Sequence, residues 1–248
     1  MTAKVAVISD VHGNLPALEA VRKAITKERP DHVVIAGDHV FQGPDPAACV
    51  DALRDMEASG ATIVQGNTDV AVADFDYGAA FPQFSDGVPD TVIAAAEWAH
   101  DELGDERVAW LRRLPSERRL MLDDTMLLGC HASPGSQTQG FDAQLDPNVT
   151  LERISRTDAR LICCGHTHVP EIRDLGWKMI INAGSVGYIF DGEPTASWAL
   201  VEVDGTDVTA EIRRTEFDTM AVANAISARG LAGDVYRAAT VRTGKLVR

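Results

Sequence analysis

Residues 4–14 read KVAVISDVHGN, a run of apolar and β-branched residues that ends in polar residues and glycine. This pattern predicts a buried strand followed by a loop at its carboxyl end. Apolar residues then recur at spacings of three and four over residues 15–28, which predicts an amphipathic helix with Asn14 as its N-cap. The run HVVIA at residues 32–36 predicts a second buried strand. Together these elements form a strand–helix–strand unit.

The same unit repeats along the next part of the chain. Residues 45–59 predict a helix that opens with Pro46 and ends before Gly60, and ATIVQ at residues 61–65 predicts a third strand. Because strands joined by helices pair in parallel, we expect a doubly wound α/β layer. Residues 88–113 predict one or two further amphipathic helices.

From residue 118 onward, short strands replace the alternation of strands and helices. We predict strands at residues 119–122, 126–130, 161–164, 178–182, 197–203 and 208–212. The turns at residues 123–124 and 204–205 have the composition of hairpin loops. We expect these strands to form a second, mixed sheet. Residues 132–148 predict a loop, residues 151–157 a short helix and residues 219–229 a final helix.

The composition is that of an ordinary globular protein, with 248 residues, 45% of them hydrophobic and 24% charged. We expect one domain over residues 1–248, with a core over 1–215 and a C-terminal helix and tail over 216–248. No apolar run reaches the roughly 18 residues that span a bilayer, and the start of the sequence lacks the apolar segment of a secretory signal. These features predict a cytoplasmic protein that does not bind membranes.

The formal net charge of −14 limits the partners. An acidic surface repels phosphate backbones, so it argues against unaided binding to long nucleic acids or to anionic membranes. Divalent cations held by a cluster of ligands would still make one site locally positive. We therefore expect a small phosphate ester or nucleotide as substrate. The sequence does not indicate an oligomeric state.

Five short polar segments follow predicted strands, and each contains residues that bind metals. They are DVHGN at 10–14, GDH at 37–39, GNTD at 66–69, GCH at 129–131 and GHTH at 165–168. Because the carboxyl ends of the strands in an open α/β sheet form its ligand-binding crevice, we expect the segments to converge. Mixed carboxylate and imidazole ligands suit Mn, Fe, Zn, Co or Ni better than Mg or Ca. If two such metals bind, Asp38 on the central loop is the natural bridge between them.

The ordered set D-x-H, G-D, G-N, H and G-H-x-H resembles the calcineurin-like metallophosphoesterase family over residues 10–168, and its small bacterial YfcE-like branch most of all. The resemblance implies the metallo-dependent phosphatase fold, an α/β four-layer αββα sandwich in which two mixed sheets are flanked by helices. It also implies two divalent metal ions, for which we expect Mn, with Fe, Zn, Ni or Co as alternatives. The ligands it implies are Asp10, His12, Asp38 and His168 for one metal, and Asp38, Asn67, His131 and His166 for the other.

The resemblance implies a dinuclear phosphoesterase that hydrolyses phosphodiester or nucleotide phosphoanhydride bonds by direct attack of a metal-bridging hydroxide. We expect Asp38, Asn67 and His131 to take part in catalysis, and Asn67 also to bind substrate. Asn14 is a candidate for contacting the phosphate as well as for capping the first helix. His39 is a candidate for catalysis and substrate binding, the alternative being that it lies against the next helix.

Thr68 marks a departure from the family pattern. Members that hydrolyse poorly activated esters commonly read G-N-H-[DE], where the histidine is regarded as protonating the leaving oxygen. Threonine cannot deliver a proton efficiently near neutral pH, and general acid catalysis is typically worth about 10²- to 10⁴-fold. Asp69 is a candidate replacement acid, but a carboxylate near two cations stays ionised, which favours a supporting hydrogen-bonding role. The sequence therefore favours substrates whose leaving groups have a low pKa.

Two alternative functions stay open. The first is a phosphomonoesterase or phosphoprotein phosphatase, which would use the same metals. The second is a non-catalytic, metal-bound protein-interaction module, as in a retromer subunit that resembles this fold. The complete ligand set favours an enzyme, because a cage of carboxylates and imidazoles has no structural use without metal.

Overall fold

The computed structural model describes residues 2–248, and within this range ten strands form two five-stranded sheets that eight helices accompany. The strands are β1 (Ala3–Ile8), β2 (His32–Ala36), β3 (Thr62–Val64), β4 (Glu117–Leu122), β5 (Thr125–Cys130), β6 (Leu161–Cys164), β7 (Glu171–Asp174), β8 (Met179–Asn182), β9 (Ala196–Asp204) and β10 (Asp207–Thr215). The helices are α1 (Leu15–Glu28), α2 (Pro46–Ala58), α3 (Asn67–Asp74), α4 (Tyr77–Ala80), α5 (Asp90–Arg113), α6 (Pro147–Ile154), α7 (Thr219–Arg229) and α8 (Asp234–Thr243).

Both sheets have parallel strands at their centre. The first has the order β10-β9-β1-β2-β3, in which β1, β2 and β3 are parallel and β9 pairs antiparallel with β1 and with β10. The second has the order β4-β5-β6-β8-β7, in which β5, β6 and β8 are parallel and the edge strands β4 and β7 are antiparallel. The five candidate ligand segments lie at the ends of five of these parallel strands, β1, β2, β3, β5 and β6.

The alternation of side chains along β1 separates the layers. Val5 and Val7 pack between the sheets with Leu127 of β5, whereas Ala6 and Ile8 face α1, α2 and α5. On the far side of the second sheet, α6 covers β5 and β6. The order of layers is helix, sheet, sheet, helix, so the predicted αββα sandwich is confirmed.

The structure corrects the predicted placement of two strands. β9 and β10 belong to the first sheet, where β9 pairs with β1 in the register Val5↔Val201, and not to the second sheet. Local sequence pattern identifies a strand but does not identify its partner, because pairing is decided by long-range packing. The same pairing makes the first sheet mixed.

Several elements differ from the sequence-based assignment. The sequence did not predict β7, α3 or α8. β7 has the polar sequence EIRD and lies at the edge of its sheet, and α3 begins inside a segment that we expected to be a loop. The predicted helix at 151–157 begins earlier, at Pro147, where the Asp146 side chain accepts a hydrogen bond from the backbone N–H of Asn148. The helix α5 contains a kink at Gly104, which has a φ of 65°.

The last two helices form a hairpin against the loop that carries Tyr188 and Phe190. Its core consists of Tyr188, Val222, Ala223, Ile226, Ala238 and Val241. We call α7, α8 and the turn between them the C-terminal hairpin. Across residues 2–248, none of the helices combines the length and the apolar character that crossing a bilayer requires.

Candidate metal centre

The structure brings all of the predicted metal ligands together at the carboxyl ends of five parallel strands. Asp10 and His12 follow β1, Asp38 follows β2, and His131 follows β5. The first residue of α3, Asn67, lies just beyond β3, and two more histidines follow β6. The full set is Asp10, His12, Asp38, Asn67, His131, His166 and His168.

One half of the set is a compact group of two carboxylates and two imidazoles. In Asp10, His12, Asp38 and His168, one ligand atom from each residue lies within 4.8 Å of the others. The Nε2 atoms of His12 and His168 are 3.1 Å apart, and Asp10 Oδ1 lies 3.1 Å from His168 Nε2. His12 Nε2 is 3.6 Å from both Asp10 Oδ1 and Asp38 Oδ2. All four residues are buried.

The other half adjoins the first through Asp38. Asn67 Oδ1 lies 3.0 Å from His131 Nε2 and 3.1 Å from His166 Nδ1, and these two nitrogens are 3.2 Å apart. Asp38 Oδ1 lies 3.4 Å from His131 Nε2, while its other oxygen faces His12. Asp38 therefore presents one carboxylate oxygen to each half.

Backbone carbonyls fix the orientation of three ligand histidines. His12 Nδ1 lies 3.2 Å from the Phe41 carbonyl, His131 Nδ1 lies 2.7 Å from the Ala36 carbonyl, and His168 Nδ1 donates to the Tyr188 carbonyl. Since a carbonyl can only accept, each Nδ1 carries a proton, and in its neutral form each ring turns its Nε2 lone pair into the site. This arrangement is the usual support of metal-binding imidazoles.

These observations test whether the residues fit a cation. In their neutral form His12 and His168 direct two Nε2 lone pairs at each other across 3.1 Å. Asp10 Oδ1 is buried and has no hydrogen-bond partner among residues 2–248. Because a buried, unpaired carboxylate oxygen is costly, an arrangement of this kind calls for a positive charge between the ligands. The residues fit divalent metal ions.

Five ligands have left-handed backbone conformations, which are uncommon for residues other than glycine. The φ angles are 56° at Asp10, 50° at His12, 57° at Asp38, 69° at His166 and 59° at His168. Such conformations cost free energy, and they gather at functional sites where the surrounding structure enforces them. The strain therefore coincides with the site.

Two glycines allow the backbone to approach the carboxylates closely. A Cβ atom on Gly165 would lie 2.2 Å from Asp10 Oδ2, and one on Gly66 would lie 2.1 Å from Asp38 Oδ1. In this space the His166 N–H donates to Asp10 Oδ2 at 2.9 Å, and the Thr68 N–H donates to Asp38 Oδ1 at 2.9 Å. The G-H and G-N motifs thus orient the carboxylates, in addition to containing candidate ligands.

Electrostatics favour the ligand forms of most of these groups. Burial alone would raise the pKa of Asp10 and of Asp38, but His168 lowers the first and His131 the second below their usual range. Burial and the neighbouring His131 lower the pKa of His166 to about 4. Burial opposes protonation of His131 too, but Asp38 raises its pKa to about 10. Metal binding therefore competes with a proton at His131.

Asp69 takes a supporting position. Its carboxylate accepts hydrogen bonds from the backbone N–H groups of Asp38, His39 and Gly66 at 3.0, 2.7 and 2.9 Å. It thereby ties the loop after β2 to the loop after β3. Burial raises the pKa of the Asp69 carboxyl, while His39 and the backbone donors favour its ionised form.

The structure does not bring His39 to the open side of the site. Its side chain is fully buried, Nε2 donates to the Val64 carbonyl at 2.9 Å, and the ring lies beside Trp110 of α5. Of the two roles considered for His39, the structure thus shows the packing role, although the helix it lies against is α5 and not the next helix in the chain. Its ring therefore supports the loop that carries Asp38.

The amide of Asn14 has two partners within the protein. Its Oδ1 accepts from the Ala17 N–H at 3.1 Å and caps α1, and its Nδ2 donates to the Gly187 carbonyl at 2.9 Å. The capping role is thus visible in the structure. A contact from Asn14 to phosphate stays a prediction.

A cavity of about 250 Å³ opens onto the ligands. Beside His12, Asp38, Asn67, His166 and His168, its lining residues include Phe41, Phe81, Phe84, Tyr188 and Phe190. The aromatic lining was not predicted, because these residues lie outside the ligand motifs. The cluster of phenylalanines at residues 75–84 is the one feature of the sequence that could have indicated this lining.

The C-terminal hairpin contacts the loop that holds His12. Arg229 donates to the Gln42 carbonyl at 3.0 Å and to the Gly43 carbonyl at 2.9 Å, next to the Phe41 carbonyl that orients His12. The hairpin also packs on Tyr188, whose carbonyl orients His168. Sequence reasoning missed this arrangement, because the contacts join residues far apart in the chain.

Comparisons with known proteins show which family the chain resembles. A sequence model of the calcineurin-like phosphoesterase superfamily domain matches residues 3–206. An uncharacterized protein of Methanocaldococcus jannaschii is 28% identical over 229 residues, which is 86% of this chain and 88% of that protein. The crystal structure of a metallophosphoesterase from Sphaerobacter thermophilus is 27% identical, with a TM-score of 0.75, over 98% of this chain and 100% of that one.

Two further solved structures share the fold. A hypothetical protein from Pyrococcus horikoshii has a TM-score of 0.82 and 22% identity, over 98% of each chain. The YfcE phosphoesterase from E. coli has a TM-score of 0.50 and 21% identity, over 86% of this chain and 100% of that one. At such identities the likeness shows the fold alone.

Proposed function

Because the chain belongs to the calcineurin-like phosphoesterase superfamily, we propose that it is a dinuclear metal-dependent enzyme that hydrolyses phosphodiester or nucleotide phosphoanhydride bonds. The family and the buried group of Asp and His residues support a metal-dependent phosphoesterase. The number of metals, the bond that is hydrolysed and the residue roles given below are part of the proposal.

The position of Asp38 carries the proposal. Its Oδ2 faces His12 and its Oδ1 faces His131, so one carboxylate joins two groups of ligands. Two cations bound there would lower the pKa of a shared water, hold it in line with phosphorus and neutralise phosphoryl oxygens. Mn is the metal we expect, and Fe, Zn, Ni or Co also suit these ligands.

The protein's own groups would hold this arrangement rigid. Asn67 Nδ2 donates to the Ala80 carbonyl at 3.0 Å, which turns Oδ1 toward His131. The Ala36 carbonyl fixes the His131 ring, and the Thr68 N–H holds one oxygen of Asp38. Preorganised ligands and dipoles reduce the reorganisation that the transition state requires.

The leaving group would depart with little help from the protein. Thr68 lines the cavity where a proton donor would be useful, and Asp69 is engaged by three backbone N–H groups. Without a general acid, the rate depends strongly on the pKa of the leaving group. Aryl oxides and phosphates leave readily, which favours activated diesters and anhydrides.

Hydrolysis assays on metal-loaded protein test the proposal. The chain, loaded in turn with Mn²⁺, Fe²⁺, Zn²⁺, Ni²⁺ and Co²⁺, is assayed with bis-p-nitrophenyl phosphate, p-nitrophenyl phosphate and a phosphopeptide. We expect metal-dependent turnover, fastest with the diester. Faster turnover of the monoester or the phosphopeptide would assign a phosphomonoesterase or phosphoprotein phosphatase, and metal binding without turnover would assign a non-catalytic interaction module.

A further inference from the structure

We propose that the cavity beside the metal ligands is a subsite for one planar aromatic group of the substrate, seated on Phe81 and Phe84. This inference rests on the proposed function and deepens it. It assigns the substrate class as a singly charged phosphodiester that carries an aromatic ring close to the phosphorus atom.

The ring wall is attached directly to the ligand set. Asn67 Nδ2 donates to the carbonyl of Ala80, the residue before Phe81, at 3.0 Å. Thr68, next to Asn67, lines the same cavity. A group seated on this wall would therefore adjoin a phosphate held at the metal ligands.

The phenylalanines are arranged as an aromatic surface. The ring centroids of Phe81 lie 6.1 Å from those of Phe41 and of Phe84, with interplanar angles of 41° and 57°. These separations are within the range in which aromatic pairs attract each other. Phe41 and Phe81 are buried, whereas Phe84 is half-buried at the cavity. Phe84 is thus the ring placed to meet a ligand.

Phe190 has a different task. Its ring stacks on the imidazole of His168, with centroids 4.1 Å apart and an interplanar angle of 16°. One face of Phe190 is therefore occupied by a metal ligand. The Phe81–Phe84 side of the cavity is the wall we assign to the substrate ring.

The polarity of the cavity limits the charge of its ligand. Among the described residues, its lining contains no Lys or Arg, and the polar side chains that line it beside the proposed metal ligands are uncharged: Gln42, Thr68 and Gln83. A polyphosphate would place charges where the protein offers no cation to balance them. A single phosphodiester charge at the metals avoids this cost.

Thr68 supplies a polar contact between the two parts of the site. Its hydroxyl oxygen is buried and has no hydrogen-bond partner in residues 2–248. A hydroxyl can donate one hydrogen bond, and a buried one without a partner is unfavourable. We assign its partner as the ester oxygen on phosphorus that leads to the group carrying the ring.

The volume sets the size of the group. At about 250 Å³ the cavity is just below the range of about 300–1,000 Å³ that encloses drug-sized ligands. One ring beside the phosphate matches this volume, and a dinucleotide exceeds it. A phenyl ring and a pyrimidine base are both planar six-membered rings, so either could stack on the phenylalanines.

Direct binding of two phosphonates tests the subsite. At a pH above the second pKa of both acids, phenylphosphonate and cyclohexylphosphonate carry the same charge and differ in having a flat aromatic or a puckered aliphatic ring. Their dissociation constants are measured by titration calorimetry on the Mn²⁺-loaded full chain, on Phe84→Leu and on the control Phe75→Leu. Phe75 is an exposed phenylalanine that does not line the cavity.

We expect the native protein to bind phenylphosphonate about 5- to 150-fold more tightly, which is the range for one base–aromatic contact. Phe84→Leu should remove this preference, and Phe75→Leu should preserve it. Equal binding of the two phosphonates, a preference that survives in Phe84→Leu, or no binding of either would overturn the subsite. Metal-dependent hydrolysis of bis-p-nitrophenyl phosphate would leave the proposed function standing in each of those cases.

A second arm distinguishes the source of the ring. Thymidine 5′-p-nitrophenyl phosphate and methyl p-nitrophenyl phosphate share a leaving group, and only the first carries a base. If a nucleobase occupies the subsite, Phe84→Leu lowers kcat/KM for the thymidine ester alone. If the aryl leaving group occupies the subsite, Phe84→Leu lowers kcat/KM equally for both esters. An unchanged kcat/KM for both esters would contradict the subsite.

Discussion

Oδ1 of Asp38 lies 3.4 Å from Nε2 of His131, inside a site where both side chains are buried. The same carboxylate turns its other oxygen toward His12. Loss of Asp38 should therefore affect both halves of the ligand set, whereas loss of His131 removes a ligand from one half.

Replacement of either residue should abolish most of the activity. We expect Asp38→Ala and His131→Ala to lower metal-dependent hydrolysis of bis-p-nitrophenyl phosphate by at least about 10²-fold, because in the proposed mechanism the metals would supply the nucleophile and neutralise charge. Steady-state kinetics on purified variants measure the effect, with Asp55→Ala and His32→Ala as controls away from the site. Full activity in either ligand variant would refute its assigned role.

Thr68→His should restore a proton donor beside the leaving group. We expect kcat/KM for a diester with an alkyl leaving group to rise by about 10²-fold, the lower end of general acid catalysis, and to change little for a p-nitrophenyl ester. Thr68→Val, which has no proton to give, is the matched control. An equal response of the two variants would show that the missing acid does not limit the reaction.

The C-terminal hairpin should influence metal affinity through Arg229. Arg229→Met keeps the length of the side chain but removes the hydrogen bonds to the Gln42 and Gly43 carbonyls and the ion pair with Asp234. Since outer contacts of metal ligands typically contribute 10- to 100-fold in affinity, we expect about 10-fold weaker Mn²⁺ binding. Calorimetric titration of the apo protein measures it, with Arg22→Met as the surface control. A lower Tm with unchanged Mn²⁺ affinity would restrict the hairpin to a stabilising role.

Asp234 should make stability depend on pH. It is buried between Arg229 and Arg237, and although burial raises its pKa, the hydrogen bonds from Arg229 lower it overall. A carboxyl whose pKa is lower in the folded state stabilises the protein above its unfolded value, near 3.9. This contribution is lost as the pH falls through the folded pKa.

Thermal unfolding of Asp234→Asn tests this dependence. At pH 7 we expect about 3–5 kcal/mol of destabilisation, typical of breaking a buried ion pair, with a smaller difference from the native chain below pH 4. Asp218→Asn, at the N-cap of α7, is a control for charge removal. A difference in Tm that does not narrow at low pH would contradict the ion-pair explanation.

Much of the ligand set could be predicted because each member follows a strand with a clear apolar pattern. The central parallel strands have this pattern, so the sequence alone indicated that the residues after them meet at one edge of the sheet. The partner of β9 could not be inferred, because the residues of β1 and β9 are almost 200 positions apart and local pattern does not encode pairing.

The contacts that position the site residues could not be predicted from the sequence, for a different reason. The carbonyls of Phe41 and Tyr188 orient His12 and His168, and a backbone carbonyl leaves no signature in the sequence. Phe84 lies in an irregular segment whose position depends on packing. The sequence thus predicted that the candidate ligands lie together at one site, and the structure showed which contacts position them.

Titration of the apo protein with Mn²⁺, while hydrolysis of bis-p-nitrophenyl phosphate is followed, tests the dinuclear site most directly. The position of Asp38 between two ligand groups predicts that activity rises until two equivalents are bound and then stays constant. Full activity at one equivalent, or two bound equivalents without hydrolysis, would contradict it.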